Sequence, residues 1–181
     1  MSALHLCFDG NFVNKCLDIF EKYYPGQNLF LVNKEKGNFG MLQADERLIG
    51  IPFTRKNFPL IFQLCSEHNV DRIILHGIKI DFIDCLTYLK QRINCKVYWI
   101  FWGYELYFTL GYLGKYKLFD GFLNPFLLRT YHSPNRLSFF VKRLCYGKRL
   151  FYGVFTEILT MIDYFCFWNY KDYELLQAHF H

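Results

Sequence analysis

Two unbroken apolar runs, Ile73-Ile74-Leu75 and Val97 to Trp102, constrain the fold more than any other feature of this chain. A strand with one face in water alternates apolar with polar residues. Runs without that alternation suit parallel strands covered by helices on both faces. Between them lies a segment with helical periodicity: Asp81 to Ile93 places Phe82, Leu86, Leu89 and Ile93 on one face. Asp71 to His76 thus reads as a strand closed by Gly77, and Lys96 to Trp102 as a strand closed by Gly103. The same alternation opens the chain. Ala3 to Phe8 is a short apolar strand ending in Asp9-Gly10-Asn11. Asn11 to Tyr24 then repeats Val13, Cys16, Leu17, Phe20, Tyr23 and Tyr24 at helical spacing, with Asn11 expected at the N-cap and Pro25-Gly26 as the stop. Asn28 to Asn33 reads as a second strand, followed by a polar loop with Gly37 and Gly40, and Arg47 to Ile51 as a shorter third strand. Asn57 to Glu67 carries a helical stripe through Phe58, Ile61, Phe62 and Cys65. Strands alternating with helices of this length predict right-handed β-α-β units in an open, mostly parallel, Rossmann-like α/β sheet with helices on both faces.

Length and composition set the remaining bounds. A chain of 181 residues is expected to form one domain, 1–181, and 52% hydrophobic with 20% charged residues excludes disorder. Aromatic residues make up 21%, more than a core of this size uses, so part of the excess is expected to meet lipid or another domain. After Tyr104 helical, aromatic and basic segments dominate, with 126–160 expected as a helical insertion. A short strand, Tyr164 to Phe167, and a closing helix from Lys171 follow. The seven cysteines, odd in number and mostly inside apolar runs, suit reduced thiols in a cytosolic protein. Cys and His never converge at zinc-site spacing, so no metal is expected. Leu4 to Phe8 is too short for a signal-peptide core, and the longest apolar stretch, Leu150 to Trp168, contains Glu157 and Asp163, which favours a buried or interfacial segment over a membrane span.

The net charge of +5 is local. No acidic residue lies between Asp120 and Glu157, where Arg129, Arg136, Lys142, Arg143, Lys148 and Arg149 supply six cations; without them 15 basic residues face 16 acidic ones. A solvated helix face, a nucleic-acid surface and a membrane-surface helix all fit such a run. Phe126, Leu127, Phe139, Phe140, Leu144, Phe151 and Tyr152 interleave with the cations and favour an anionic membrane surface over nucleic acid.

In open α/β sheets ligands bind outside the carboxyl ends of the strands. Three such ends carry polar groups here: Asp9-Gly10-Asn11, His76-Gly77 and Trp102-Gly103-Tyr104-Glu105. Each has a structural explanation. Asp9 can cap the first helix, His76 can be a satisfied strand-end histidine, and Glu105 can sit at a helix N-terminus. Converging on one rim, the three suit general-base chemistry, with Gly10, Asn11, Gly77, Trp102, Gly103, Tyr104 and Tyr107 as substrate contacts. No G-x-G-x-x-G, P-loop or G-x-S-x-G motif occurs, so neither a nucleotide cofactor in a glycine loop nor an ordinary hydrolase site is expected.

Ile74-Leu75-His76-Gly77 together with Trp99-Ile100-Phe101-Trp102-Gly103-Tyr104-Glu105-Leu106-Tyr107 resembles the bacterial TDP-N-acetylfucosamine:lipid II N-acetylfucosaminyltransferase family, whose usual motif is close to Trp-Gly-Gly-Asp-Leu-Tyr. The opening His5-x-x-Phe8-Asp9-x-x-Phe12 and the later Ile162-Asp163-Tyr164-Phe165-x-x-Trp168 are also similar to that family. Tyr104 stands where the family usually has its second Gly, and Glu105 where it has Asp. The resemblance implies a two-domain transferase with facing Rossmann-like halves. The half seen here would receive a lipid-linked glycan at the inner face of the cell membrane, and a carboxyl-terminal half, absent from this chain, would hold the nucleotide-sugar donor. Asp9, His76 or Glu105 would deprotonate the acceptor hydroxyl. A non-catalytic membrane-surface scaffold of the same fold is the competing expectation.

Overall fold

The apolar runs become neighbouring central strands. The computed structural model describes residues 2–35, 38–42, 45–78, 80–102, 157–167 and 170–180. Within these, β1 (Ser2–Cys7), β2 (Asn28–Val32), β3 (Leu48–Gly50), β4 (Val70–His76), β5 (Lys96–Ile100) and β6 (Tyr164–Cys166) form one sheet in the order β3-β2-β1-β4-β5-β6, and every pairing is parallel. Helices α1 (Asn11–Tyr23), α2 (Phe58–Glu67) and α3 (Ile80–Lys90) link strands, and α4 (Tyr170–Phe180) follows β6. The strand order reverses between β1 and β4, which makes their carboxyl ends the switch point of the sheet. Backbone packing divides the chain into one unit of 1–101 with 160–167, which holds the sheet and α1 to α3, and another of 102–159 with 168–181, which holds α4. The insertion expected at 126–160 lies outside the described residues up to position 156.

Register assigns the faces. His5 lies beside Phe30 and Cys7 beside Val32, so these side chains share a face, and Val13 and Leu17 of α1 bury them together with Leu48. Leu4, Leu6, Leu31, Ile73, Leu75, Val97 and Trp99 point the other way and are fully buried. Right-handed crossovers bring α2 and α3 to that second face, where Ile61, Phe82, Leu86 and Leu89 are also sealed from water. Each such aliphatic or aromatic side chain contributes roughly 1.5–3 kcal/mol on burial.

Element ends differ from the sequence reading by one to three residues, and the start of α1 differs in its cap. Gly10, not Asn11, is the N-cap of α1, and no side chain caps the helix. The Phe8 ring lies against Gly10 so closely that a Cβ there would stand 2.3 Å from Phe8 Cε2. The turn is therefore closed by an aromatic ring, and the helix begins one residue earlier than an Asn11 cap would set it. At the far edge, Asp163 fixes β6. Its carboxylate accepts from the Val97 amide at 2.9 Å and from Lys96 Nζ at 3.0 Å, and its own amide donates to the Val97 carbonyl at 2.9 Å. That clamp sets the register in which Tyr98 and Tyr164 stack at 4.6 Å.

Cys7, Cys16, Cys65, Cys85 and Cys95 are buried free thiols and Cys166 is an exposed one, whereas Cys145 lies outside the described residues. Burial pushes the Cys16 thiol up to about 11 and those of Cys65 and Cys85 to about 12, so they pack as small hydrophobes. Among the described residues no helix is long and apolar enough to cross a membrane, and no cluster of three or more metal-ligating side chains occurs.

Candidate functional site at the carboxyl edge of the sheet

Because all strands run parallel, the ends of β1, β4 and β5 lie side by side on one edge, as the polar strand ends required. Their side chains play different parts there. Asp9 follows β1 and turns toward the loop after β2. Its Oδ2 accepts from the Gly40 amide at 2.6 Å and from Lys34 Nζ at 2.9 Å, and its Oδ1 accepts from the amides of Met41 and Leu42, both at 2.9 Å. Burial raises its pKa, but the amide of Gly40, the ammonium of Lys34 and the two further amides outweigh that and hold the carboxyl well below the usual carboxylate range. A carboxylate with four donors and so little basicity fastens the 38–42 loop. It is not the helix cap that the sequence also allowed, and it is poorly suited to take a proton. Gly40 packs close to it: a Cβ there would stand 3.3 Å from Asp9 Oδ2, so the carboxylate would have to give way slightly.

His76, the last residue of β4, is wholly buried, as is His5. The sheet brings them together from positions 71 residues apart, with His5 Nδ1 2.9 Å from His76 Nε2. His5 is stacked on Phe30 at 4.0 Å and meets Phe20 edge-on at 4.5 Å. Its other nitrogen, Nε2, lies 3.2 Å from Asn28 Oδ1. Asn28 cannot turn over, because its Nδ2 donates to Glu21 Oε1 at 2.8 Å and to the Tyr24 carbonyl at 2.7 Å. Burial lowers the His5 pKa to about 4 against the opposing effect of the hydrogen bond His5 donates to Asn28. Burial and the neighbouring His5 hold His76 well below its ordinary value. Both rings are neutral at neutral pH. His76 Nδ1 is buried with no hydrogen-bond partner among the described residues, a condition that costs about 1–3 kcal/mol and calls for an explanation.

Beyond these, the edge carries Asn33. Its Oδ1 accepts from the Phe53 amide at 2.7 Å and its Nδ2 donates to Asp81 Oδ2 at 3.3 Å in the first turn of α3. Asn11 is the exposed first residue of α1, and Gly77 turns the chain off β4 with φ 91, a left-handed conformation that glycine adopts without strain. Trp102 follows β5 by two residues and is half-buried. Glu105, Gly103, Tyr104 and Tyr107 lie outside the described residues, as do Arg129, Arg136, Lys142, Arg143, Lys148 and Arg149. The sequence reading assigned no role to His5, Asn28, Lys34 or Asn33. His5 left two signals, as a lone polar residue inside the apolar strand Ala3 to Phe8 and as the first residue of the His5-x-x-Phe8-Asp9-x-x-Phe12 run. The other three are ordinary loop and strand-start residues until the tertiary structure pairs them. A cavity of about 280 Å³ lies on the α1 face, walled by Phe20, Asn28, Arg72, Ile74, Ile100 and Cys166. It includes none of the residues expected at the site.

Six parallel strands ordered 3-2-1-4-5-6 around a switch point define a Rossmann-like α/β protein. No protein-family model matches the chain, and no curated protein matches it. Among solved structures, that of dTDP-glucose 4,6-dehydratase from Bacillus anthracis str. Ames in complex with NAD is 16% identical to it, over 59% of this chain and 39% of the dehydratase chain, with a TM-score of 0.41. The chain thus spans well under half of that enzyme's length.

Proposed function

We propose that this chain is the acceptor-side domain of a glycosyltransferase that moves a sugar, N-acetylfucosamine-like by the resemblance, from a nucleotide sugar to a lipid-linked glycan. One observation carries the division of labour. Dinucleotide-binding sheets receive a pyrophosphate on glycine amides at the turn after β1. Here that turn holds the Phe8 ring packed over Gly10 and the ionised carboxylate of Asp9, while the nearby amides of Gly40, Met41 and Leu42 already donate to Asp9. A diphosphate arriving there would meet like charge and engaged donors. The donor nucleotide therefore belongs to a second domain, and the carboxyl edge at β4 and β5 is left for the acceptor.

With the Asp9 carboxyl engaged, the base that takes the proton from the acceptor hydroxyl is Glu105, in the Trp102-Gly103-Tyr104-Glu105 segment that carries the family resemblance. The hydroxyl attacks the anomeric carbon, and the departing nucleoside diphosphate is stabilised by groups of the other domain. The six cations from Arg129 to Arg149, interleaved with aromatic residues, suit the anionic inner face of a cell membrane, where such an acceptor is anchored. Native mass spectrometry of the chain with nucleotide sugars and with short-chain polyprenyl diphosphate sugars tests the proposal. Binding of the lipid-linked sugar alone is expected. Tight binding of a nucleotide sugar, or of neither class, would refute it.

A further inference from the structure

One half of the sheet has an open face. Among the described residues no helix joins β2 to β3, and α2 and α3 lie on the second face. Of the helices in the sheet unit, α1 alone covers the face that carries His5, and it packs over β1 and β2 through Val13 and Leu17. On that same face β4, β5 and β6 present Ile74, Tyr98, Ile100 and Cys166, in register with His5 and with one another. The cavity of about 280 Å³ lies between this floor and Phe20 of α1. It opens to solvent: Ile74 is buried at its floor, Phe20, Tyr98 and Ile100 are half-buried along its walls, and Tyr24 and Cys166 are exposed at its rim. Both aromatic walls are held in place. Phe20 meets His5 edge-on at 4.5 Å, and Tyr98 stacks on Tyr164 at 4.6 Å.

The principal polar groups of the cavity are already engaged. Arg72 donates through Nε and Nη2 to the Asp71 carboxylate at 3.2 and 3.3 Å, so its charge is met. The Asn28 amide is held between Glu21, the Tyr24 carbonyl and His5. A diphosphate or a sugar gains little from such groups, whereas an apolar chain finds a preformed slot and leaves those bonds intact. Ile100 and Cys166 are the last residues of β5 and β6, so the slot reaches the carboxyl edge of the sheet. We propose that this cavity holds the first isoprene units of a polyprenyl chain, the lipid part of the acceptor, with the diphosphate outside it beyond Ile100 and Cys166. That identity rests on the function proposed above. Each methylene buried in the slot tightens binding about fourfold, so affinity depends on the lipid as well as on the glycan.

The full chain is titrated with the farnesyl and methyl diphosphate esters of N-acetylglucosamine and with farnesol, and iodoacetamide labelling of Cys166 is followed by peptide mapping. The farnesyl ester is expected to bind about tenfold tighter than the methyl ester, or more. The farnesyl ester and farnesol are expected to slow labelling of Cys166 severalfold, and the methyl ester to leave its rate unchanged. Cys166→Trp fills the rim of the slot from an exposed edge-strand position and is expected to abolish the advantage of the farnesyl ester, whereas Cys166→Ser is expected to keep it. The labelling of the wild-type chain decides the matter even where the tryptophan variant fails to fold. Equal binding of the two esters, with Cys166 labelled at an unchanged rate, overturns the inference while the acceptor-side reading stands. A farnesyl advantage that neither slows labelling nor disappears in Cys166→Trp places the tail elsewhere and also overturns it. Protection by farnesol without binding of either ester sinks the acceptor-side reading and leaves the isoprenoid slot, and absence of both binding and protection overturns the two together.

Discussion

Acidification between about pH 6.5 and pH 4.5 is expected to destabilise this protein through two histidines alone, and the size of the effect follows from their burial. The His5 pKa falls from 6.5 to about 4 on folding, and burial and the neighbouring His5 hold that of His76 well below its ordinary value. Both rings are neutral in the fold, so below 6.5 the unfolded chain binds more protons than the native one. Stability is therefore full above the unfolded value and declines as pH falls toward the folded one. At about pH 5 the difference for His5 comes to roughly 2 kcal/mol and His76 adds to it in the same direction, so the slope approaches about 2.7 kcal/mol per pH unit for two protons taken up on unfolding. Even the roughly 2 kcal/mol from His5 alone is a sizeable share of the roughly 5–15 kcal/mol typical of a domain. Asp9 does not contribute in this window. Its carboxyl lies below its ordinary 3.8 in the fold, so the stability it adds is lost only as pH drops further. Urea titrations followed by tryptophan fluorescence at closely spaced pH values measure the slope, and His76→Leu is expected to halve it. A slope below one proton in the wild-type protein, or an unchanged slope in His76→Leu, would refute the assignment of two neutral, buried rings.

Four other outcomes are expected. Asp9→Ala removes the acceptor for three amides and Lys34 and should cost about 1–2 kcal/mol, with faster proteolytic cleavage within 38–42 as the specific sign. Gly10→Ala should cost about 1–3 kcal/mol by forcing the Phe8 ring aside; in a double-mutant cycle with Phe8→Ala most of that cost should disappear, and simple additivity would show that the ring is not the obstacle. Asp163→Ala should speed hydrogen exchange across Tyr164–Cys166 and leave the β1–β4 amides protected, because the carboxylate clamps only the edge strand. Iodoacetamide mapping should find Cys166 modified before Cys7, Cys16, Cys65, Cys85 and Cys95, which burial shields.

All six strands and the helices between β1 and β5 were legible in the residue pattern, as was their parallel arrangement. Ile73-Ile74-Leu75 and Val97 to Trp102 have no polar side to offer water, and only a sheet covered on both faces satisfies them. The N-cap was misplaced by one residue because the Phe8 ring, a contact that propensity does not encode, closes the turn at Gly10. The candidate site was legible only as a place. Polar groups at the ends of β1, β4 and β5 had to share an edge once the strands were parallel, but what each group does there depended on partners remote in sequence.

Asp9 meets amides 31 to 33 residues away, and His5 meets His76 across 71 residues. Nothing in the local pattern of Ala3-Leu4-His5-Leu6-Cys7 says that the histidine is to be paired, nor which nitrogen keeps its proton. Those are set by the parallel register that places His5 beside Phe30 on one side and Ile74 on the other, and by the Asn28 amide that the α1 carboxyl end orients. Periodicity, a property of neighbours along the chain, therefore determined the elements and their layers. Protonation, tautomer and hydrogen-bond partner depend on which atoms are brought within three ångströms in space, and only the tertiary structure decided them.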